Sequence, residues 1–178
     1  MARWDPDDVV VLDETGANVG LTPTYARAPR ATRAYDRAPF NRGANLTTLA
    51  VLTTGGLAAA MTVDGAADAR TVESFVRELV VPLLRPGQTL VLDNVRTHKR
   101  DELRRLVEQA GCALRFLPAY SPDLSPIEEA FAQLTALLRR AKARTAEALV
   151  AAIGGLLDAV TPREARQYFA HCGYGIAK

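Results

Sequence analysis

The first third of the chain contains three apolar stretches that lack helical spacing. Residues 8–13 hold one continuous apolar run, and residues 46–53 and 57–63 hold two more. Short runs bounded by turn residues are typical of strands buried in a sheet. The last two are joined across Gly55-Gly56, a pair that suits a tight hairpin turn. The pattern therefore predicts three strands before any helix.

Helices alternate with strands in the rest of the chain. Apolar residues recur at helical spacing from Val72 to Leu83, and Pro86-Gly87 ends that helix. A second helix is stopped by Gly111. The remaining elements are predicted strands at 89–92 and 113–117, a helix from Ile127 to Leu138, a helix over 146–159, and a helix opened by the capping box Thr161-Pro162-Arg163-Glu164. Strands that first follow one another and then alternate with helices are typical of an α/β fold with a mixed sheet.

Size and composition fit one enzyme-sized domain. With 178 residues and 48% hydrophobic content, the chain is expected to bury one core over 1–178, with 145–178 as a C-terminal helical extension. There is no apolar stretch of about 18 residues and no charged-then-apolar leader, which predicts a cytoplasmic protein with no membrane partner. Cys112 and Cys172 are far apart and lack a metal or redox spacing, so both are interpreted as reduced thiols.

Positive charge is concentrated in one segment although the net charge is only +2. Residues 27–42 contain five arginines against one aspartate: Arg27, Arg30, Arg33, Arg37 and Arg42. Such a segment suits a DNA phosphate backbone, and a solvated surface loop is the alternative. A second cluster follows at the end of the Glu128 helix, where cations also complement the helix dipole: Arg139, Arg140, Lys142 and Arg144.

Three acidic residues are candidates for a metal site. Asp13 closes the apolar run Val9–Leu12, Asp93 closes the run Leu90–Leu92, and Glu128 opens a helix after Ser125-Pro126-Ile127. Carboxylates at strand ends and on a neighbouring helix are suitable ligands for hard divalent cations. Each acid also has a simpler explanation, because Asp favours turns and because Glu128 completes a capping box with Ser125.

The surroundings of these acids resemble a known family. Asp93 and Glu128 are separated by 34 residues, and Asp93-Asn94 and His98-Lys99 precede the segment Tyr120-Ser121-Pro122-Asp123-Leu124-Ser125-Pro126-Ile127-Glu128. Together with Leu12-Asp13-Glu14-Thr15-Gly16, this closely resembles the catalytic domain of DDE transposases of the mariner superfamily, in its bacterial insertion-sequence branch. Three positions depart from that pattern, with Ser125 in place of Asn, Ala119 in place of Pro, and Thr135 in place of a common Lys.

The resemblance implies a fold, a reaction and a set of site residues. The fold is ribonuclease-H-like, with a mixed sheet, flanking helices and extra C-terminal helices. Asp13, Asp93 and Glu128 would hold two Mg²⁺ or Mn²⁺ ions for DNA strand cleavage and strand transfer. Asn94 and His98 are secondary candidates, His98 for a contact with the scissile phosphate. A helix cap or a packing role is the alternative for His98.

The resemblance also implies partners and an alternative function. Relatives carry helix-turn-helix modules before the first catalytic Asp, whereas only 12 residues precede Asp13. The expected partners are DNA at the transposon ends and target, a separate helix-turn-helix subunit or a missing N-terminal domain, and a second copy in a homodimer. An inactive transposase remnant that binds DNA or a partner is the alternative. A receiver-type Mg²⁺ domain is disfavoured because it begins strand-helix-strand.

Overall fold

A five-stranded mixed sheet forms the centre of the protein. The computed structural model describes residues 4–43, 45–93 and 100–175. The strands are β1 (Val9–Asn18), β2 (Asn45–Thr53), β3 (Gly56–Asp64), β4 (Thr89–Leu92) and β5 (Ala113–Phe116), in the sheet order β3-β2-β1-β4-β5. Strands β1, β2 and β3 are antiparallel, whereas β4 lies parallel to both β1 and β5. The predicted α/β class with a mixed sheet is confirmed.

Helices cover both faces of this sheet. They are α1 (Ala69–Phe75), α2 (Arg100–Gln109), α3 (Pro126–Ala141), α4 (Ala146–Leu156) and α5 (Pro162–His171). Helix α1 continues as a π-helical segment (Val76–Val80) and a 3-10 turn (Val81–Leu83). Pro82 lacks the N–H that a longer α-helical ladder needs, which accounts for the change of pitch at this end.

Alternation along β1 divides the core into two layers. Val10 and Leu12 pack with α1 and α2, while Val9 and Val11 pack on the opposite face with α3 and α5. The period of two along a strand produces this division. Phe169 of α5 is fully buried in the second layer, so the last helix is part of the core.

Strand β1 is longer than its hydrophobic pattern predicted. It continues to Asn18 because residues beyond Asp13 stay paired with β2, with Asp13 opposite Ala50 and Asn18 opposite Asn45. Only Val9–Leu12 also pair with β4. The prediction that the strand ends at Asp13 was therefore wrong, since backbone pairing outlasts the apolar run.

The helix ends show where local sequence signals decide the structure. Thr161 and Glu164 form the predicted capping box at the start of α5. The predicted helix over 146–159 is α-helical only to Leu156 and ends in a 3-10 turn (Leu157–Ala159). The predicted hairpin is present, with Thr53 opposite Gly56, whose φ of 112° favours glycine.

Candidate active site

The parallel pairing of β1 and β4 places Asp13 beside Asp93. Leu12 and Leu92 are register partners, so the next residue of each chain segment follows at the same level of the sheet. Alternation along β1 assigns Asp13 to the face of Val11, which is the face covered by α3, and Asp93 directly follows the neighbouring strand β4. Asp13 is half-buried, whereas Asp93 is exposed just beyond β4. Asp13 therefore lies on the side of the sheet from which α3 begins, and Asp93 follows at the same level on the adjacent strand.

The electrostatics of Asp13 show that the three acids are close enough to interact. Burial raises the pKa of Asp13 from 3.8 to about 6, and a hydrogen bond donated by the Glu14 N–H at 2.8 Å acts in the opposite direction. The negative charges of Glu128, Asp93 and Glu14 raise this pKa further. Ionised Asp13 is thus destabilised both by desolvation and by neighbouring carboxylates. A bound cation would relieve both effects.

Glu128 lies in the first turn of α3 and does not cap its own helix. Ser125 is the N-cap residue, but its side chain makes no capping hydrogen bond. Its N–H, which a capping box would direct to Glu128, donates to the Pro122 carbonyl at 2.8 Å. The capping-box interpretation of Glu128 was therefore wrong. Buried Ile127 fixes this turn against the core, while Glu128 itself is exposed.

Glu129, the neighbouring acid, has a different partner. Its carboxylate lies 2.6 Å from Nδ1 of His171, near the end of α5. This hydrogen bond and the charge of Glu129 raise the pKa of His171. The ion pair joins α3 to α5. Glu129 is therefore engaged by His171, and Glu128 remains the candidate ligand on this helix. His171 carried no signal in the sequence, because a contact over 42 positions depends on tertiary packing.

Asp13, Asp93 and Glu128 lie near one another but are not arranged as the ligands of one metal ion. Among the described residues, no three His, Cys, Asp or Glu side chains are arranged so as to hold one metal ion. Asn94 and His98 lie outside the described residues. The donor chemistry nevertheless fits a hard divalent cation, because all three candidates offer carboxylate oxygens. Metal binding would have to draw these side chains together.

A groove extends from Glu128 along α3. Its volume is about 570 Å³, and it is lined on the helix side by residues that include Thr135, Arg139 and Arg140. Thr24 and Tyr25, which lie outside the helix, form another part of the lining. From the sequence, Arg139 and Arg140 were interpreted as complementing the helix dipole, and Tyr25 was not predicted to be a site residue. The structure places both arginines in the groove that contains Glu128.

The arginine-rich segment is held near the far end of the same helix. Lys142 forms an ion pair with Asp36, with 2.5 Å between Nζ and Oδ2. Arg144 donates to the carbonyls of Val19 and Leu21 at 2.8 and 3.0 Å. Lys142 therefore contacts the segment itself, whereas Arg144 holds the chain that leads into it. Its own arginines are exposed: Arg27, Arg30, Arg33, Arg37 and Arg42.

Comparison with known protein families decides the family of this chain. The family model described as DDE superfamily endonuclease matches residues 8–150. This range includes Asp13, Asp93, Glu128 and most of the sheet and helices described above. The chain belongs to the DDE superfamily endonucleases. The predicted resemblance to DDE enzymes is thereby confirmed, while the bacterial insertion-sequence branch remains a prediction.

Solved structures with the same fold include three of the Mos1 transposase. A mariner Mos1 paired-end complex with Mg is 16% identical, with 92% of this chain and 53% of that chain covered and a TM-score of 0.68. A Mos1 strand transfer complex is 18% identical, with 96% and 56% covered and a TM-score of 0.66. The Mos1 transposase catalytic domain with Raltegravir and Mg is 15% identical, with 97% and 87% covered and a TM-score of 0.55.

These comparisons establish the fold of the DDE domain. The chain spans about half the length of the transposase chains in the two complexes, and most of the catalytic-domain chain. The ribonuclease-H-like fold implied by the sequence resemblance is confirmed by this likeness. No match was found among curated proteins. In the described part of the chain, none of the helices is both long and apolar enough to cross a membrane.

Proposed function

We propose that this DDE domain cleaves DNA strands and joins a 3′-hydroxyl to target DNA in a divalent-metal-dependent reaction. The observation that carries this proposal is the register of β1 and β4, which brings Asp13, on the face covered by α3, next to Asp93. Glu128 lies in the first turn of that helix, and its negative charge contributes to the raised pKa of Asp13. Family membership and the fold shared with Mos1 complexes support the same reaction class.

Asp13, Asp93 and Glu128 would hold two Mg²⁺ or Mn²⁺ ions. Bound ions of this kind activate a water or hydroxyl nucleophile and stabilise the leaving oxygen of a phosphodiester. The chain's contribution is to bring two carboxylates from the sheet and one from α3 to the same region. Asp13 would bind metal in its ionised form, which burial and the neighbouring acids destabilise when no cation is bound. Solved Mos1 structures contain Mg or Mn, which supports the choice of metal.

The substrates would be transposon ends and target DNA, as in insertion-sequence transposition. Because this chain covers about half of the Mos1 chains, end recognition would require segments outside it, from a helix-turn-helix module on the same or a separate polypeptide. A homodimer could then bring two ends together. Within this scheme, residues 1–178 act as one cytoplasmic catalytic domain, and 145–178 are a helical extension that completes the core through Phe169.

Metal binding is the direct test of the proposed site. Saturating Mg²⁺ or Mn²⁺ should stabilise the wild type by mass action, by about 2.7 kcal/mol at a hundredfold excess over the Kd. Asp93→Asn should lose most of that gain, because it replaces a carboxylate ligand by an amide. Thermal denaturation with and without metal measures both effects.

Asp64→Asn is the matched control for this experiment, since Asp64 is exposed at the end of the edge strand β3. It should keep the metal-dependent stabilisation. An unchanged wild-type melting temperature across millimolar Mg²⁺ and Mn²⁺ would contradict the proposed site. Stabilisation without any nicking of supercoiled plasmid would instead favour the inactive remnant.

The exposed arginine segment should supply part of the duplex affinity. Changing Arg30, Arg33 and Arg37 together to Ala should reduce the slope of log affinity against log salt by about 2.7, since each lost phosphate contact removes about 0.9. Fluorescence anisotropy with a duplex of arbitrary sequence measures this slope. Metal stabilisation should not change, because the segment contributes no carboxylate to the site. An unchanged slope would support the alternative of a solvated loop.

A further inference from the structure

We propose that the groove between α3 and the Thr24-Tyr25 segment binds single-stranded DNA next to the catalytic carboxylates. This inference rests on the proposed function, because it assigns the groove to the strand that reaches the acids. Arg139 and Arg140 would contact phosphates, and Tyr25 would stack on a base. The arginine-rich segment would contact duplex DNA outside the groove.

The position of the groove along α3 gives it a defined direction. Glu128 lies at one end, and Arg139 and Arg140 lie at the other. Glu128, Ala132, Thr135 and Arg139 follow one another at spacings of four, three and four residues, which places them on one face of the helix. Eleven residues of α-helix span about 16 Å, at roughly 1.5 Å per residue. A strand that leaves the carboxylates along this face therefore meets the arginines within a few nucleotides.

The charges in the groove favour a phosphate backbone at the end away from the acids. Among the described residues, neither Arg139 nor Arg140 forms an ion pair. The other two members of the basic cluster have partners within the protein: Lys142 pairs with Asp36, and Arg144 donates hydrogen bonds to two backbone carbonyls. The two guanidinium groups are thus available to the groove, where Glu128 provides the opposite charge at the other end.

Tyr25 supplies the second component of a single-strand site. Its side chain is 91% exposed, although it lines the groove, so packing within the protein does not account for its position. Sites for single-stranded nucleic acid combine a basic groove with aromatic side chains on which bases stack. Phe131, also on α3, forms an apolar part of the same lining. The combination fits a short stretch of single strand in which one base stacks on Tyr25 and adjacent phosphates contact the arginines.

The groove suits a single strand better than a duplex. Its volume of about 570 Å³ is in the range of pockets that enclose small molecules. One or two unstacked nucleotides occupy a volume of this order, whereas the bases of a duplex are paired and stacked and so are not available to Tyr25. A duplex would lie across the groove and contact the exposed arginine segment. The proposal therefore predicts different effects of groove variants on the two forms of DNA.

Anisotropy measurements with a labelled oligo-dT strand of about ten nucleotides, and with a duplex of similar length, test the arginines. In EDTA, changing Arg139 and Arg140 together to Ala should reduce the salt slope for the single strand by about 1.4, at about 0.7 per phosphate contact. Arg70→Ala is the matched control, because Arg70 is exposed on α1, which covers the other face of the sheet. It should leave the single-strand slope unchanged.

A rescue variant tests the direction of the groove. Thr135 lies four residues before Arg139 on the same groove-lining face. Adding Thr135→Lys to Arg139→Ala should restore most of the lost single-strand affinity, since it moves one positive charge by a single helical turn. A lysine that fails to restore affinity at this position would contradict a strand running along α3.

Tyr25 is tested in the same assay. Tyr25→Ala should weaken single-strand binding by about 5- to 150-fold, the range expected for loss of one base stack, and Tyr25→Phe should retain it. Tyr35→Ala is the control, because Tyr35 is similarly exposed, at 86%, outside the groove lining. Equal losses for single strand and duplex, or no loss in any groove variant, would overturn the proposal. Single-strand binding in EDTA does not depend on metal, so failure of metal stabilisation alone would overturn only the proposed catalytic function.

Discussion

Glu128→Gln should abolish metal-dependent DNA cleavage while leaving the fold intact. Residues that merely support a metal ligand are worth about 10- to 100-fold in metal affinity or activity, and loss of a direct ligand should cost more. The structure predicts little loss of stability, because Glu128 is exposed and Ser125 forms no capping box with it. Nicking of supercoiled plasmid in Mn²⁺, together with thermal denaturation, measures the two properties separately.

Glu129→Gln is the matched control at the adjacent position. It should weaken the contact with His171 and leave cleavage close to the wild-type rate, because Glu129 is directed toward α5. If Glu129→Gln abolished cleavage and Glu128→Gln did not, the assignment of the third acid would be off by one residue. The pair of variants therefore tests the identity of the acid independently of helix stability.

Most of the fold could be predicted from local patterns. The hairpin, the short parallel strands and the α5 capping box each depend on residues that are neighbours in sequence. The length of β1 could not be predicted in this way, because its second half is held by pairing with β2 and lacks a continuous apolar run. The change of pitch after Phe75 likewise carried no periodic signal, since Val76 and Val80 remain buried throughout it.

The candidate site required knowledge of which segments meet in space. Hydrophobic runs located Asp13 and Asp93 after buried residues, but only the register of β1 and β4 makes them neighbours. The capping motif before Glu128 suggested a local role that the folded chain does not use, because the Ser125 N–H turns back to Pro122. The position of Tyr25 opposite α3 depends on the path of an irregular segment, for which sequence periodicity gives no information.

Asp13→Asn should make the metal-free protein more stable near neutral pH. The pKa of Asp13 is raised from 3.8 to about 6, so the folded state binds more protons than the unfolded state between about pH 4 and 6. The free energy of unfolding therefore falls as pH rises through this window and remains lower above it. A shift of about two units corresponds to at most about 3 kcal/mol, and partial exposure of this side chain reduces the expected gain to about 1–2 kcal/mol.

The same substitution should reverse its effect when metal is added. A divalent cation offsets the negative charges around Asp13, so saturating Mg²⁺ should stabilise the wild type and give Asp13→Asn little benefit. The amide oxygen can still accept the hydrogen bond from the Glu14 N–H, which keeps the local backbone contact in both proteins. Thermal denaturation from pH 4 to 8, in EDTA and in Mg²⁺, measures the crossover, and Asp64→Asn should show none. An Asn variant that is less stable than the wild type at pH 7 in EDTA would contradict the view that the ionised Asp13 carboxylate is destabilised by its burial and by the neighbouring carboxylates.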